Sequence, residues 1–395
     1  MQIAFLSFEA FRSGGIRTYT RELVNGFSRA GHQVVLFSPP KPSGAAPNLS
    51  AAVTLQPVPV AEAPFTSAVT YWWNLPFVFR RTERQLGQFD IVHSNAYADA
   101  FLTKRSAPAT RVVTVYHLGG TAAASAGLHS WSRIFMLSSE YGPAVLAESV
   151  CLRRADHVIA ISGFTRDDVL RWHPRLKADN VSVIYPGTTE AQPISEEEKT
   201  KLMRKWGISR DERIVLSVGR LEHRKGIPFL LESFSRVRSI AMPKLILIGG
   251  GPPGMYKAIA RRLGIADRVI FAGPVDESTL RTAYDIADVL AHASSMEGFG
   301  LSVADAVSMG LPVVAARVGS IPEVVRDGQD GSLVDFGDVP SFARALTTLL
   351  DRAATAGPIH RFPKVKIFSW ERTVRETLKL YEELVTTRRE PSRSG

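Results

Sequence analysis

Three groups of residues in this chain have the types and spacing to do chemistry. Residues 296–310, MEGFGLSVADAVSMG, place Glu297 and Asp305 on either side of a Gly298-Phe299-Gly300 turn. Leu301 to Met309 read as a helix, with Gly310 suited to its C-cap. N–H groups of the turn and of the helix start at Leu301 and Ser302 can hold phosphate or sugar oxygens. Glu297 falls before the helix and Asp305 about one turn inside it, so the two acids reach different parts of one extended ligand. The alternative is an acid favoured by the helix dipole, which leaves both glycines without a purpose. The second group is VGRLEHRKG, residues 218–226, where Arg220 and Lys225 follow Gly219 in a loop with no evident packing duty. A bidentate guanidinium beside an ammonium point charge suits a diphosphate. Two ordinary surface cations on a solvated loop are the competing explanation. The third is FEAFRSGGIRTYTREL, where Gly14 and Gly15 precede a helix. Paired glycines let backbone approach a ligand closely and present a helix amino terminus to an anion, and a plain tight turn accounts for them equally well.

Such loops need rigid elements to hold them. The first half offers the strand candidates IAFLSF, VVLFSP, IVHSN, VVTVYH, VIAIS and VSVIYP. The second offers IVLSVG, LILIGG, VIFAG, VLAHAS, PVVAAR and SLVDF. Most are continuous apolar runs, as expected for strands covered on both faces of a parallel sheet. Helical patterns between them, such as Arg17–Ala30 and Gly226–Ser239, make βαβ units. The polar stretch Thr188–Thr200 reads as a linker. The expected fold class is α/β, with two doubly wound Rossmann-like domains facing across a cleft. In such sheets ligands bind at the carboxyl ends of the strands, where all three groups fall.

Composition bounds the function. With 395 residues the chain is long enough for two domains, and 45% hydrophobic against 22% charged residues fits a globular protein. One cysteine, Cys151, excludes an internal disulfide framework and fits a reducing compartment. No signal-peptide pattern follows Met1 and no apolar run is long enough to span a bilayer, so a cytoplasmic location is expected. The formal charge of +10 favours anionic partners: nucleotides, phospholipid head groups or nucleic acid. Without a zinc-finger spacing, ribonucleoprotein motif or long basic block, nucleic acid is set aside.

Taken in order, GGIRTYTRELVNGFSRAGHQVVLFSP, DIVHSN, VVTVYH, ADHVIAISGFTRDDV, VSVIYPG, VGRLEHRKG, LILIGGGP, VIFAGPV and the 296–325 stretch resemble the retaining glycosyltransferases of family 4, which have the GT-B fold. The likeness covers nearly the whole chain. FSWERTVRETLKLYEEL is similar to the family's last helix, which crosses back onto the first domain. The implied domains are 1–188 for the acceptor, 189–369 for the nucleotide sugar, and 370–395 for the returning helix and a basic tail.

The resemblance implies a hexosyltransferase. Arg220 and Lys225 match the pair that neutralises the departing diphosphate, a role suited to preorganised cations in a dry cleft. Glu297 matches the first acid of the family's E-x7-E motif, set against the transferred sugar. Gly298, Phe299 and Gly300 match the turn whose backbone meets sugar and phosphate. His117 matches a histidine near the sugar, and Gly15 the glycine loop facing the diphosphate. Asp305 stands where the family usually has a ribose-holding glutamate, one methylene longer, and IYPGTT lacks the asparagine often found before its glycine. No D-x-D pair is present, so transfer is expected to be metal-independent, without a cofactor, and with retention. Glu297 as nucleophile and a front-face path guided by the leaving phosphate are both open. The donor is GDP-mannose or a UDP-hexose, with a slight lean to GDP-mannose. The acceptor is a glycan, a lipid-linked sugar or a phospholipid. A nucleotide-sugar 2-epimerase and a non-catalytic nucleotide-sugar sensor are the alternatives.

His32, His93, His157, His223 and His292 read as structural or surface residues, and Cys151 as a small buried apolar one. The first domain's least family-like stretch, TSAVTYWWNLPFVFRRTERQ, joins Tyr71, Trp72, Trp73, Phe77 and Phe79 to Arg80, Arg81 and Arg84. It reads either as a helix packed in that domain or as a peripheral contact with an anionic membrane at its inner face.

Overall fold

The computed structural model describes residues 1–11, 14–41, 49–61, 64–102, 109–118, 142–189, 193–240, 242–356, 361–362 and 367–389. The chain divides into two compact units, Met1–Gly187 with Ser369–Gly395, and Thr188–Phe368.

The first unit contains β1 (Gln2–Leu6), β2 (Gln33–Ser38), β3 (Val53–Pro57), β4 (Ile91–Asn95), β5 (Thr110–Val115), β6 (His157–Ala160) and β7 (Val181–Val183), in the order β3-β2-β1-β4-β5-β6-β7. All neighbours are parallel, with Ile3 opposite both Val34 and Ile91. The apolar runs become fully buried strands such as IVHSN and TRVVTV. The sequence reading missed β3. It is an edge strand with only its first residue buried, and TLQP after Val53 gives no continuous apolar run. Helix Gly15–Arg29 packs on helix Trp370–Arg389 so closely that a Cβ on Gly26 would sit 2.3 Å from a methyl of Val374. Tyr381 of the latter helix bonds Nδ1 of His93 on β4, while Nε2 of His93 pairs with the Thr114 hydroxyl at 2.7 Å. Burial pushes the His93 imidazole down to about 3, so it stays neutral, a structural histidine as expected.

The second unit contains β8 (Arg213–Val218), β9 (Pro243–Ile248), β10 (Val269–Gly273), β11 (Val289–His292), β12 (Val313–Ala316) and β13 (Gly331–Val334), in the order β10-β9-β8-β11-β12-β13, again parallel. Its core includes Val215, Leu230, Phe234, Leu245, Ala291, Val314, Phe342 and Leu346. Part of the expected linker is not a linker. Glu196–Trp206 is a helix whose capping box joins the Ser195 hydroxyl to the Glu198 N–H at 3.2 Å, with Glu198 accepting from the Ser195 N–H at 3.0 Å. The S-E-E-E signature of that box stands in the sequence, overlooked because the stretch is so polar. The 226–239 helix is shorter than expected, Ile227–Ser235. Both sheets have the doubly wound strand order, which reverses between β1 and β4 and again between β8 and β11.

Candidate functional site

At that reversal in the second unit, the loops after β8 and β11 meet. The loop after β8 runs through Gly219, Arg220 and Glu222 into a short 3-10 turn, His223–Lys225, and ends at Gly226. Gly226 has φ 61°, and a Cβ there would lie 1.9 Å from the Ala293 carbonyl oxygen just beyond β11. Only glycine allows that approach. Ser295 completes the junction, its N–H bonding the Arg224 carbonyl at 2.8 Å.

The junction brings Lys225 to Glu297, and the two side chains form an ion pair. Their exposures are only 15% and 9%, so the pair is largely withdrawn from water. The same Glu297 oxygen accepts from the Ser294 hydroxyl at 2.8 Å, and His292 Nε2 lies 3.1 Å from it. Burial by itself would raise the Glu297 carboxyl. Lys225, His292 and Arg224 together outweigh burial and hold it well below the usual carboxylate range. Glu297 is therefore a fixed anion and not a proton donor at neutral pH.

Arg220 and Arg224 flank Glu222, with Nε atoms 2.5 and 3.1 Å from its two oxygens. Arg220 is about half exposed, whereas Lys225 is largely buried, against the expectation of a loop with no packing duty. Each is engaged by an acid, and Lys225 is part of the packing, its stem running past Gly219. Carboxylates thus hold all three cations in place.

The turn after Glu297 is buried. Phe299 packs edge-on against Phe368, centroids 5.0 Å apart, and Gly300, at φ 82°, is the N-cap of helix Leu301–Ser308. The Gly300 carbonyl accepts from the N–H groups of Val303 and Ala304, and helix geometry leaves the N–H groups of Leu301 and Ser302 without an intrahelical acceptor. Gly310 follows the helix at φ 71°. Asp305 points elsewhere within the unit and accepts the Thr189 N–H at 2.7 Å. Burial raises its carboxyl to about 6, against the opposing pull of that hydrogen bond.

Of the residues singled out in the sequence, the structure joins Gly219, Arg220, Lys225, Glu297, Gly298, Phe299, Gly300, Leu301 and Ser302 around one strand reversal. Gly14, Gly15 and His117 belong to the first unit. Gly14 (φ 134°) is the N-cap of helix Gly15–Arg29, and His117 is exposed just past the end of β5. Sequence reasoning missed Glu222, Arg224, Ser294 and His292 as parts of the site. For His292 a signal existed: it ends the strand that runs directly into the Glu297 loop. Among the described residues no group of three or more His, Cys, Asp or Glu side chains is placed to hold a metal ion.

Two family models match the chain: "Glycosyltransferase Family 4" over residues 13–192 and "Glycosyl transferases group 1" over residues 198–357. Together they span both loops of the site, the whole second sheet and the first sheet apart from β1. The chain belongs to glycosyltransferase family 4. Its relatives include an uncharacterised glycosyltransferase of Methanocaldococcus jannaschii, 25% identical over 382 residues, covering 93% of this chain and 94% of the relative. The D-inositol 3-phosphate glycosyltransferase of Acidothermus cellulolyticus is 26% identical over 405 residues, covering 95% and 87%. Among solved structures, sucrose-phosphate synthase of Thermosynechococcus elongatus superposes with a TM-score of 0.80 at 22% identity, covering 98% and 99%. HepE of Anabaena, solved in complex with UDP-glucose, superposes at 0.71 with 19% identity, covering 96% and 100%. The expected GT-B fold, two Rossmann-like parallel-sheet domains, is the fold of this family 4 glycosyltransferase.

Proposed function

We propose that this glycosyltransferase moves a hexosyl group from a nucleotide-sugar donor to an acceptor hydroxyl with retention and without a metal ion. The observation that carries the proposal is the set of Arg220, Arg224 and Lys225 around the β8–β11 reversal, already paired with Glu222 and Glu297. A donor diphosphate supplies the anionic oxygens that Arg220 and Lys225 need. As the anomeric C–O bond breaks, the leaving diphosphate gains negative charge, which these cations are placed to stabilise. The acceptor oxygen forms the new bond to the anomeric carbon and gives its proton to the departing phosphate oxygen on the same face.

Glu297 favours that front-face path. One of its oxygens is already engaged by Lys225, Ser294 and His292, and its low proton affinity makes it a weak nucleophile. In this reading it orients Lys225 and meets the sugar hydroxyls with its other oxygen. The turn at Gly298–Gly300 and the N–H groups of Leu301 and Ser302 receive sugar and phosphate oxygens, and Asp305, whose Oδ1 accepts the Thr189 N–H, serves the ribose with its other oxygen. A UDP-hexose and GDP-mannose are the donors to try first, since the HepE neighbour holds UDP-glucose. The acceptors to try first are a phosphorylated polyol, suggested by the D-inositol 3-phosphate relatives, and glycan or lipid-linked sugars met at an anionic membrane.

A thermal-shift panel of GDP-, UDP-, ADP- and dTDP-sugars in EDTA tests the proposal. A donor at about 100 times its Kd stabilises the fold by roughly 2.7 kcal/mol. Arg220→Ala should abolish the shift while leaving the unliganded melting point nearly unchanged, because the exposed Arg220–Glu222 pair contributes about 0–1 kcal/mol. Rescue of binding only by magnesium or manganese would overturn the metal-free site. No response to any nucleotide sugar in either condition would overturn the donor assignment.

A further inference from the structure

We infer that the solvent face of helix Pro64–Leu86 is a docking surface for an anionic lipid membrane, with Trp73 and Phe77 entering the interface and Arg80, Arg81 and Arg84 meeting lipid phosphates. The helix has two faces with different tasks. Tyr71, Leu75 and Phe79 are fully buried in the core of the first unit, and Trp72 packs against Tyr97 and Phe101. These side chains anchor the helix. At about 100° per residue, Val69, Trp73, Phe77, Arg80 and Arg84 fall on the opposite face within an arc of about 80°, with Arg81 about 40° beyond one edge and Glu83 about 40° beyond the other.

That second face is exposed. Trp73 and Phe77, one turn apart, are each 65% exposed, and Phe101, 44% exposed, extends the patch with its ring 6.5 Å from that of Trp73. A lone surface aromatic is ordinary, whereas adjacent exposed aromatics bordered by cations mark an interaction surface. Arg80 and Arg84 are exposed at the next turns of the same stripe, and Arg81 is exposed beside it. The helix has a single acid, Glu83, which is half-buried and borders the stripe on the side away from Arg81. Apolar rings at one end and guanidinium groups at the other match the acyl boundary and phosphate layer of an anionic bilayer. The density of positive charge selects this occupant over an apolar protein surface. No described helix is long and apolar enough to cross a membrane, so the contact is peripheral.

The test is co-sedimentation of the full chain with phosphatidylcholine vesicles, with and without phosphatidylglycerol. Binding is expected only with the anionic lipid and is expected to weaken as salt rises. Each arginine near the surface contributes about fivefold, so Arg81→Ala/Arg84→Ala should lower partitioning about 25-fold. Trp73→Ser/Phe77→Ser should abolish it even at low salt, with circular dichroism and donor-induced thermal shift unchanged because both side chains lie outside the core. Equal binding to neutral vesicles, no binding to anionic ones at low salt, or wild-type partitioning of the Trp73/Phe77 variant would each overturn the inference. So would a dimer that this variant dissolves, which would assign the face to a second copy of the chain.

Discussion

Replacing Lys225 by Met keeps the buried stem and removes only the charge at its tip. Glu297 then stands as an anion, 9% exposed, with the Ser294 hydroxyl and His292 as its remaining neighbours. Removing one partner of a buried pair costs about 3–5 kcal/mol, because the other charge stays out of water. Two polar neighbours remain, so the lower end, about 3 kcal/mol, is expected at neutral pH. For a unit of this size that is a fall of about 6–12 °C in melting temperature. The pH dependence has a definite sign. The native Glu297 carboxyl is depressed, so its contribution is present above the unfolded value and is lost as pH falls through the folded one. The difference between wild type and Lys225→Met should therefore shrink in acid. Calorimetry of Lys225→Met, Glu297→Gln and the double variant measures the coupling, which should exceed about 1 kcal/mol. A loss below about 1 kcal/mol at neutral pH, or strictly additive single effects, would refute a desolvated pair preassembled for the donor.

Asp305→Asn should keep the acceptor for the Thr189 N–H and remove a titration. The folded Asp305 carboxyl, at about 6, lies roughly 2 units above its unfolded value, so its contribution is complete below the unfolded value and is lost as pH rises through 6. Relative to wild type, the Asn variant should gain about 2 kcal/mol between about pH 4 and pH 7, and a flat difference in urea denaturation would reject this. Gly226→Ala forces a left-handed residue to carry a Cβ against the Ala293 carbonyl, and should cost about 3 kcal/mol or more and abolish the donor-induced thermal shift. Tyr381→Phe leaves buried His93 Nδ1 without its hydroxyl partner and should lower stability by about 1–3 kcal/mol in chemical denaturation, with no change in donor affinity.

Much of the fold was legible because buried parallel strands must be apolar along their whole length. VVLFS, IVHSN, LILI and VVAA announced themselves, and β3 escaped because an edge strand escapes that demand. Gly300 and Gly310 were likewise visible as residues that only special backbone conformations require, whereas Gly226 had read only as the start of a helix. The cations at 220 and 225 and the acid at 297 could be named from their types and from their places after strands. What they do to one another could not. Lys225 and Glu297 lie 72 residues apart, and only the adjacency of β8 and β11 at the strand-order reversal lets them form a pair. The same crossing turned His292 from an ordinary strand residue into a neighbour of Glu297. Asp305 is spoken for by Thr189, 116 positions away, a contact that no local pattern encodes. Helix Pro64–Leu86 divides along the same line. Its aromatics and arginines stood in the sequence, but which rings were core and which faced water depended on the sheet against which one face was pressed. Local chemistry selects the element and the residue type, while desolvation and charge pairing depend on distance in space, which only the folded chain sets.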